Sequence, residues 1–149
     1  MSEPKKTKKS PRRRAREFAV QALYQTAINK IPAEEVAKNT REHTDFKNAD
    51  DELFTAVFFG AHRQQREYMQ QIRPHLERDE NLISPVERAV LLLAVHELAA
   101  MPETPYPVVI NEAIELTKTF GGTDGHKFVN GILDQLASRI RPDEPRRKG

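Results

Sequence analysis

Apolar side chains recur at three- and four-residue intervals along this chain, the period of helices that bury one face. Ala15, Phe18, Ala19, Ala22, Leu23 and Ala27 form the first stripe, beginning near Arg12. Pro32 suits the opening turn of a short helix over Ala33–Thr40. Leu53, Phe54, Val57, Phe58, Ala61, Tyr68 and Ile72 predict one long helix over Asp50–Ile72, interrupted by Pro74. Ser84-Pro85-Val86-Glu87 carries the residues of a capping box with proline in its favoured first-turn place. It opens a helix over Pro85–Met101 that is apolar on nearly every side, from Ala89 through Val95 to Leu98. A helix apolar all round is surrounded by others, so this one is the predicted core.

Two further stripes follow the proline-rich link Pro102–Pro107. Ile110, Ala113, Ile114, Thr117 and Phe120 form one; Phe128, Val129, Ile132, Leu133, Leu136 and Ile140 form the other. Between them, Gly121 and Gly122 can supply a helix-ending positive φ, and Asp124 can cap the next helix. The β-branched run Val108-Val109-Ile110 keeps the helical period, so no strand is predicted. The expectation is an all-α body of six or seven helices. A basic arm (1–11) and a tail (143–149) are expected to be disordered, since neither offers an apolar stripe.

The net charge of +2 is unevenly spread over the 149 residues. Residues 1–16 hold eight bases (Lys5, Lys6, Lys8, Lys9, Arg12, Arg13, Arg14, Arg16) against Glu3, a net +7, which leaves −5 for the rest. An acidic body repels a polyanion, so only the basic end can hold one. Cations at a helix start oppose the macrodipole, at a cost of a few tenths to about 1 kcal/mol. Guanidinium forks match phosphate oxygens, and arginine-rich segments commonly order on RNA. A single strand also needs an aromatic platform. Phe128, beside Lys127 and His126, is the candidate, although it fits the apolar stripe equally well.

Enzymatic constellations fail on spacing. There is no cysteine, and His43, His62, His75, His96 and His126 are scattered without metal-ligand spacing. The Gly121–Lys127 stretch has Phe128 where a phosphate loop needs Ser or Thr. Glu112 and Glu115 read as a solvated face. No apolar run reaches the roughly 18 residues that span a bilayer, and no secretory signal is evident, so a cytoplasmic protein without cofactor or metal is expected.

Arg12–Tyr24 (RRRAREFAVQALY), Val109–Leu116 (VINEAIEL) and Phe120–Leu133 (FGGTDGHKFVNGIL) resemble the NusB family of bacterial transcription antitermination factors, over roughly residues 12–142. The resemblance implies two packed helical bundles, about 12–80 and 81–142, and no catalysis. It implies binding to the boxA element of ribosomal RNA leaders together with the ribosomal protein NusE. Other Nus factors and RNA polymerase then join, and homodimerisation is a further option within the family. By position it assigns Arg12, Arg13, Arg14, Arg16, His75, Lys127 and Phe128 to RNA, and Tyr24, Glu87 and Asp124 to complex formation. His75 stands where some relatives carry tyrosine. The alternatives are a protein-interaction adaptor that does not bind RNA, or a relative of the helical domain preceding some rRNA cytosine methyltransferases. Those chains continue into a catalytic domain, and this one is expected to be the free-standing factor. NusE is expected on the helical surface around Asp50–Ile72.

Overall fold

A computed structural model describes residues 9–77, 79–122 and 124–144. These residues form seven α-helices, three short 3-10 turns and no strand. The helices are α1 (Pro11–Asn29), α2 (Ala33–Arg41), α3 (Asp51–Arg63), α4 (Gln65–Ile72), α5 (Pro85–Ala100), α6 (Tyr106–Phe120) and α7 (Gly125–Ile140). The all-α architecture expected from periodicity is the one observed. Helix α1 packs on α2 and α3, α6 packs on α7, and α5 touches α1, α3, α4, α6 and α7. Ala89–Val95 and Leu98 are all buried, so the helix that reads as apolar all round is the central one.

Local chemistry explains the helix boundaries. The Ser84 hydroxyl accepts from the Glu87 N–H at 3.0 Å, and the Glu87 carboxylate accepts from the Ser84 N–H at 3.0 Å, a complete capping box. The same Ser-Pro signal starts α1: Ser10 accepts from the Arg13 N–H at 3.1 Å, with Pro11 as first helical residue. Ser10 and Pro11 thus belong to a helix start rather than to a disordered arm, while residues 1–8 lie outside the described residues.

The helix predicted over Asp50–Ile72 is two helices, broken at Gln64 (φ −99°, ψ 10°). The side-chain amide of Gln65 donates to the His62 carbonyl at 3.0 Å, taking an acceptor that a continuous ladder would use. One turn earlier, the His96 ring of α5 lies against Gly60, where an added Cβ would come within 2.1 Å of it. The Tyr68 hydroxyl and Nδ1 of His96 share a hydrogen bond of 2.8 Å, and burial holds this imidazole below its ordinary pKa.

The α6–α7 connection corrects two expectations. Gly121 has φ −102° and ψ −172°, so no left-handed glycine ends α6. Its lack of a Cβ matters for space, because one would sit 2.7 Å from the Thr117 carbonyl oxygen. Asp124 occupies the cap position of α7 at φ −109°, ψ 3°, and its carboxylate makes no cap hydrogen bond. Only its carbonyl serves the helix, accepting from the Lys127 N–H at 3.1 Å.

Arg141 ends α7 and caps α5. Its guanidinium donates to the carbonyls of Glu97 (2.9 Å), Leu98 (3.0 Å), Met101 (2.9 Å) and Thr104. Leu98 lies in the last turn of α5, whose carbonyls a helix end leaves without N–H partners, while the Glu97 and Met101 carbonyls also accept from the Met101 and Thr104 N–H groups at 3.1 and 3.0 Å. Arg141 also pairs at 2.8 Å with Glu144, whose other oxygen accepts from the Tyr106 N–H at 2.8 Å. Helix α6 has no side-chain cap of its own at Pro105, so Glu144 supplies one. Glu144, expected in a disordered tail, is therefore held in place; residues 145–149 lie outside the described residues.

Candidate nucleic-acid interface

The first two turns of α1 carry Arg12, Arg13, Arg14 and Arg16, and the fold treats them differently. Arg16 faces inward, its side chain 3 % exposed. It forms a two-pronged pair with Glu97 of α5, both contacts at 2.8 Å, and lies 3.6 Å from Glu112 of α6. Burial is the largest influence and opposes its charge, but the hydrogen bonds to Glu97 together with the negative charges of Glu97 and Glu112 outweigh it and raise its pKa. Arg16, which the resemblance assigns to RNA, is thus committed to carboxylates inside the body and is nearly closed off from solvent.

The other cations of the segment sit at the surface. Arg13 grips Glu112 through two nitrogens at 3.2 and 2.7 Å, and that hydrogen bonding raises its pKa. Arg12 lies 3.8 Å from Asp50, the cap of α3, and Lys9 pairs with Glu17 at 2.7 Å. Arg14 has no carboxylate partner among the described residues. Lys9, Arg12, Arg13 and Arg16 line a groove of about 840 Å³ with Glu112 and with Glu103, Thr104, Pro105 and Val108 of the α5–α6 connection. A concave, cation-lined channel of that size can follow a phosphate backbone.

His75, Lys127 and Phe128, distant in sequence, come together in a second groove of about 110 Å³, shared with Glu77, Gly131, Ile132 and Gln135. Pro74 sets the 3-10 turn Arg73–His75 that carries His75 to α7, where its Nδ1 donates to the Gln135 side-chain oxygen at 2.7 Å. Phe128 is half-buried: part of the ring packs on the core and part lines this groove. Both readings of Phe128 are accommodated by one ring. The two grooves share no lining residue.

Tyr24 lines a third groove with Val20, Gln21, Gln25, Val86 and Phe120. Glu87, next to Val86, packs so tightly on α7 that a Cβ on Gly125 would lie 2.8 Å from its second oxygen. Asp124 precedes that glycine, is exposed, and lies 3.9 Å from Lys127. Tyr24, Glu87 and Asp124 thus gather around the α6–α7 connection.

Three partners escape a reading of the sequence. Glu112 is anchored between Arg13 and Arg16 instead of belonging to a solvated face. Glu97 and Arg141 are internal struts. Glu97, directly after His96 in an apolar run, carries the signal of a buried acid needing a cation; Arg141 carries none, because its partners are backbone carbonyls.

The family model described as the NusB family matches residues 13–138. A transcription antitermination protein NusB of Neisseria meningitidis serogroup B is 67 % identical over 140 residues, covering 94 % of this chain and 99 % of that one. The Chromobacterium violaceum protein of the same name is 55 % identical over 137 residues, covering 91 % and 92 %. Among solved structures, NusB of T. maritima superposes with a TM-score of 0.80 at 32 % identity, covering 92 % of this chain and 97 % of that one. A NusB solved with NusE and double-stranded RNA superposes with a TM-score of 0.78 at 27 % identity, covering 87 % and 97 %.

Proposed function

The chain belongs to the NusB family, and on that premise we propose that it is a transcription antitermination factor that binds boxA-containing leader RNA together with NusE. The observation that carries the RNA contact is the cation-lined groove at the start of α1, in a body whose remaining residues are net negative. Lys9, Arg12 and Arg13 contact phosphates there, and Arg14, which does not line the groove, meets one beside it. Arg16 acts through the others by fixing the first turns of α1 to α5 and α6. Phe128 offers the exposed part of its ring to a base beside Lys127 and His75.

NusE docks on the helical surface around Asp50–Ile72, and Tyr24, Glu87 and Asp124 contribute to assembly of the complex. The factor performs no chemistry. Among the described residues no helix is long and apolar enough to cross a membrane, and the factor acts on nascent transcripts in the cytoplasm.

Electrophoretic mobility shifts with boxA RNA and a scrambled RNA, with and without NusE, test this reading. A preference for boxA that strengthens with NusE is expected. Replacing Arg12, Arg13 and Arg14 with alanine weakens binding and flattens the log–log salt dependence, by roughly 0.7 for each single-strand phosphate contact whose cation has no internal carboxylate partner. Equal binding to both RNAs overturns the reading in favour of a protein-only adaptor.

A further inference from the structure

We propose that Glu17, Asp50 and Glu112 are built-in counterions of the arginine groove, which hold Lys9, Arg12 and Arg13 until RNA phosphates displace them. They thereby penalise RNAs that cannot supply the full set of contacts. The inference rests on the RNA-binding reading and concerns how that same site discriminates.

Each of the three cations has its own carboxylate, and the carboxylates come from three different elements. Lys9 meets Glu17 of α1, Arg12 meets Asp50 at the head of α3, and Arg13 meets Glu112 of α6. In every pair the carboxylate is the more buried partner: 13 % exposed against 45 %, 32 % against 49 %, and 13 % against 39 %. Two of the anions are fixed by other work. Asp50 caps α3 through the Leu53 N–H at 3.0 Å, and Glu112 is backed by Arg16 at 3.6 Å. The body therefore holds Asp50 and Glu112 in place, while the long cationic side chains at the surface are free to change partner.

The cations are 39–49 % exposed, where pairing is weakened by solvent, so a phosphate can replace the carboxylate, least readily in the two-pronged Arg13–Glu112 pair. Each exchange still has a cost, because a carboxylate that is mostly buried loses its cation and water can only partly replace it. A ligand that places several phosphates in register recovers that cost, and a loosely held polyanion does not. The salt dependence changes as well. A phosphate that meets a cation sheds a condensed counterion, but the carboxylate left behind recruits one from solution. Exchanged pairs thus add little to the salt slope, and Arg14, with no internal partner, adds a full contact.

The test is the triple variant Glu17→Gln, Asp50→Asn, Glu112→Gln, with asparagine chosen at 50 because it still caps a helix. Binding to boxA RNA and to poly(U) of equal length is measured across a salt series, beside the parent and Arg14→Gln. Poly(U) affinity is expected to rise about tenfold at low salt, the combined effect of three weak pairs. BoxA affinity rises about threefold, so the preference narrows, and the slope steepens by up to about 2. Unchanged or weaker poly(U) binding by a folded triple variant overturns the inference, and an unchanged slope does the same. Equal binding of the parent to boxA RNA and to poly(U) overturns the RNA reading itself. If the triple variant fails to fold, Glu17→Gln alone decides, with a rise in poly(U) affinity of about twofold expected and no change counting against.

Discussion

Neighbouring residues of one sequence motif can have opposite work, and the arginine segment shows it. Arg14 and Arg16 are two positions apart, yet one has no carboxylate partner among the described residues and the other is locked between Glu97 and Glu112. Removing one member of a buried pair leaves an uncompensated charge, which costs about 3–5 kcal/mol. Arg16→Met is therefore expected to lower unfolding free energy by about that much in urea titrations. The double variant Arg16→Met, Glu97→Leu should recover most of the loss, because well-packed apolar residues often replace a buried pair at no net cost. Arg14→Ala should stay within about 0.5 kcal/mol of the parent and lose RNA affinity instead. An Arg16→Met protein as stable as the parent would return Arg16 to the RNA surface.

At the scale of elements, the periodic stripes foretell α1, α5, α6 and α7, because each buries a face and that burial writes a helical period into the sequence. What is not legible depends on contacts between elements. The break at Gln64 comes from a side chain capturing one backbone carbonyl, and Gln65 has no pattern that announces it. The glycines are legible as breakers, but for another cause than the one expected: Gly121 avoids a clash and is not left-handed. Glu112 reads as solvated because helical spacing shows only its own helix, not the arrival of α1. Lys127, Phe128 and His75 are a different case: the resemblance assigns them to RNA together with the arginines, and the fold brings these three into one groove apart from the arginines.

Gly131 tests that groove. It sits in the middle of α7 with no atom within 4 Å of a built Cβ. Alanine there gains helix propensity, about 1 kcal/mol, without a clash. Yet Gly131 lines the groove with Phe128, so the added methyl narrows it. Gly131→Ala is expected to raise stability in thermal unfolding and to weaken RNA binding. Gly60→Ala should do the reverse to stability, because its methyl would meet the His96 ring at 2.1 Å. Full RNA affinity in Gly131→Ala would take this groove out of the interface.

On the scale of the whole molecule, the C-terminal end of α7 shapes the site at the start of α1. Thr104 and Pro105 form one wall of the arginine groove. That connection is tied down by Arg141, which reaches the carbonyls of Met101 and Thr104, and by Glu144, which caps Tyr106. Arg141→Met would strip charged donors from four carbonyls and one carboxylate. Each such bond is worth roughly 1.5–3 kcal/mol, and water reaching the opened end recovers part of that, so a loss of about 3 kcal/mol or more is expected. At temperatures where the variant is still folded, the loosened wall should weaken RNA binding. The salt slope is the deciding measurement. Arg141 is only 8 % exposed and spends its donors on internal acceptors, so affinity should fall while the slope stays that of the parent. A slope flattened by about 0.7 would mean that Arg141 touches the RNA directly. Unchanged affinity would mean that the groove keeps its shape without the tail.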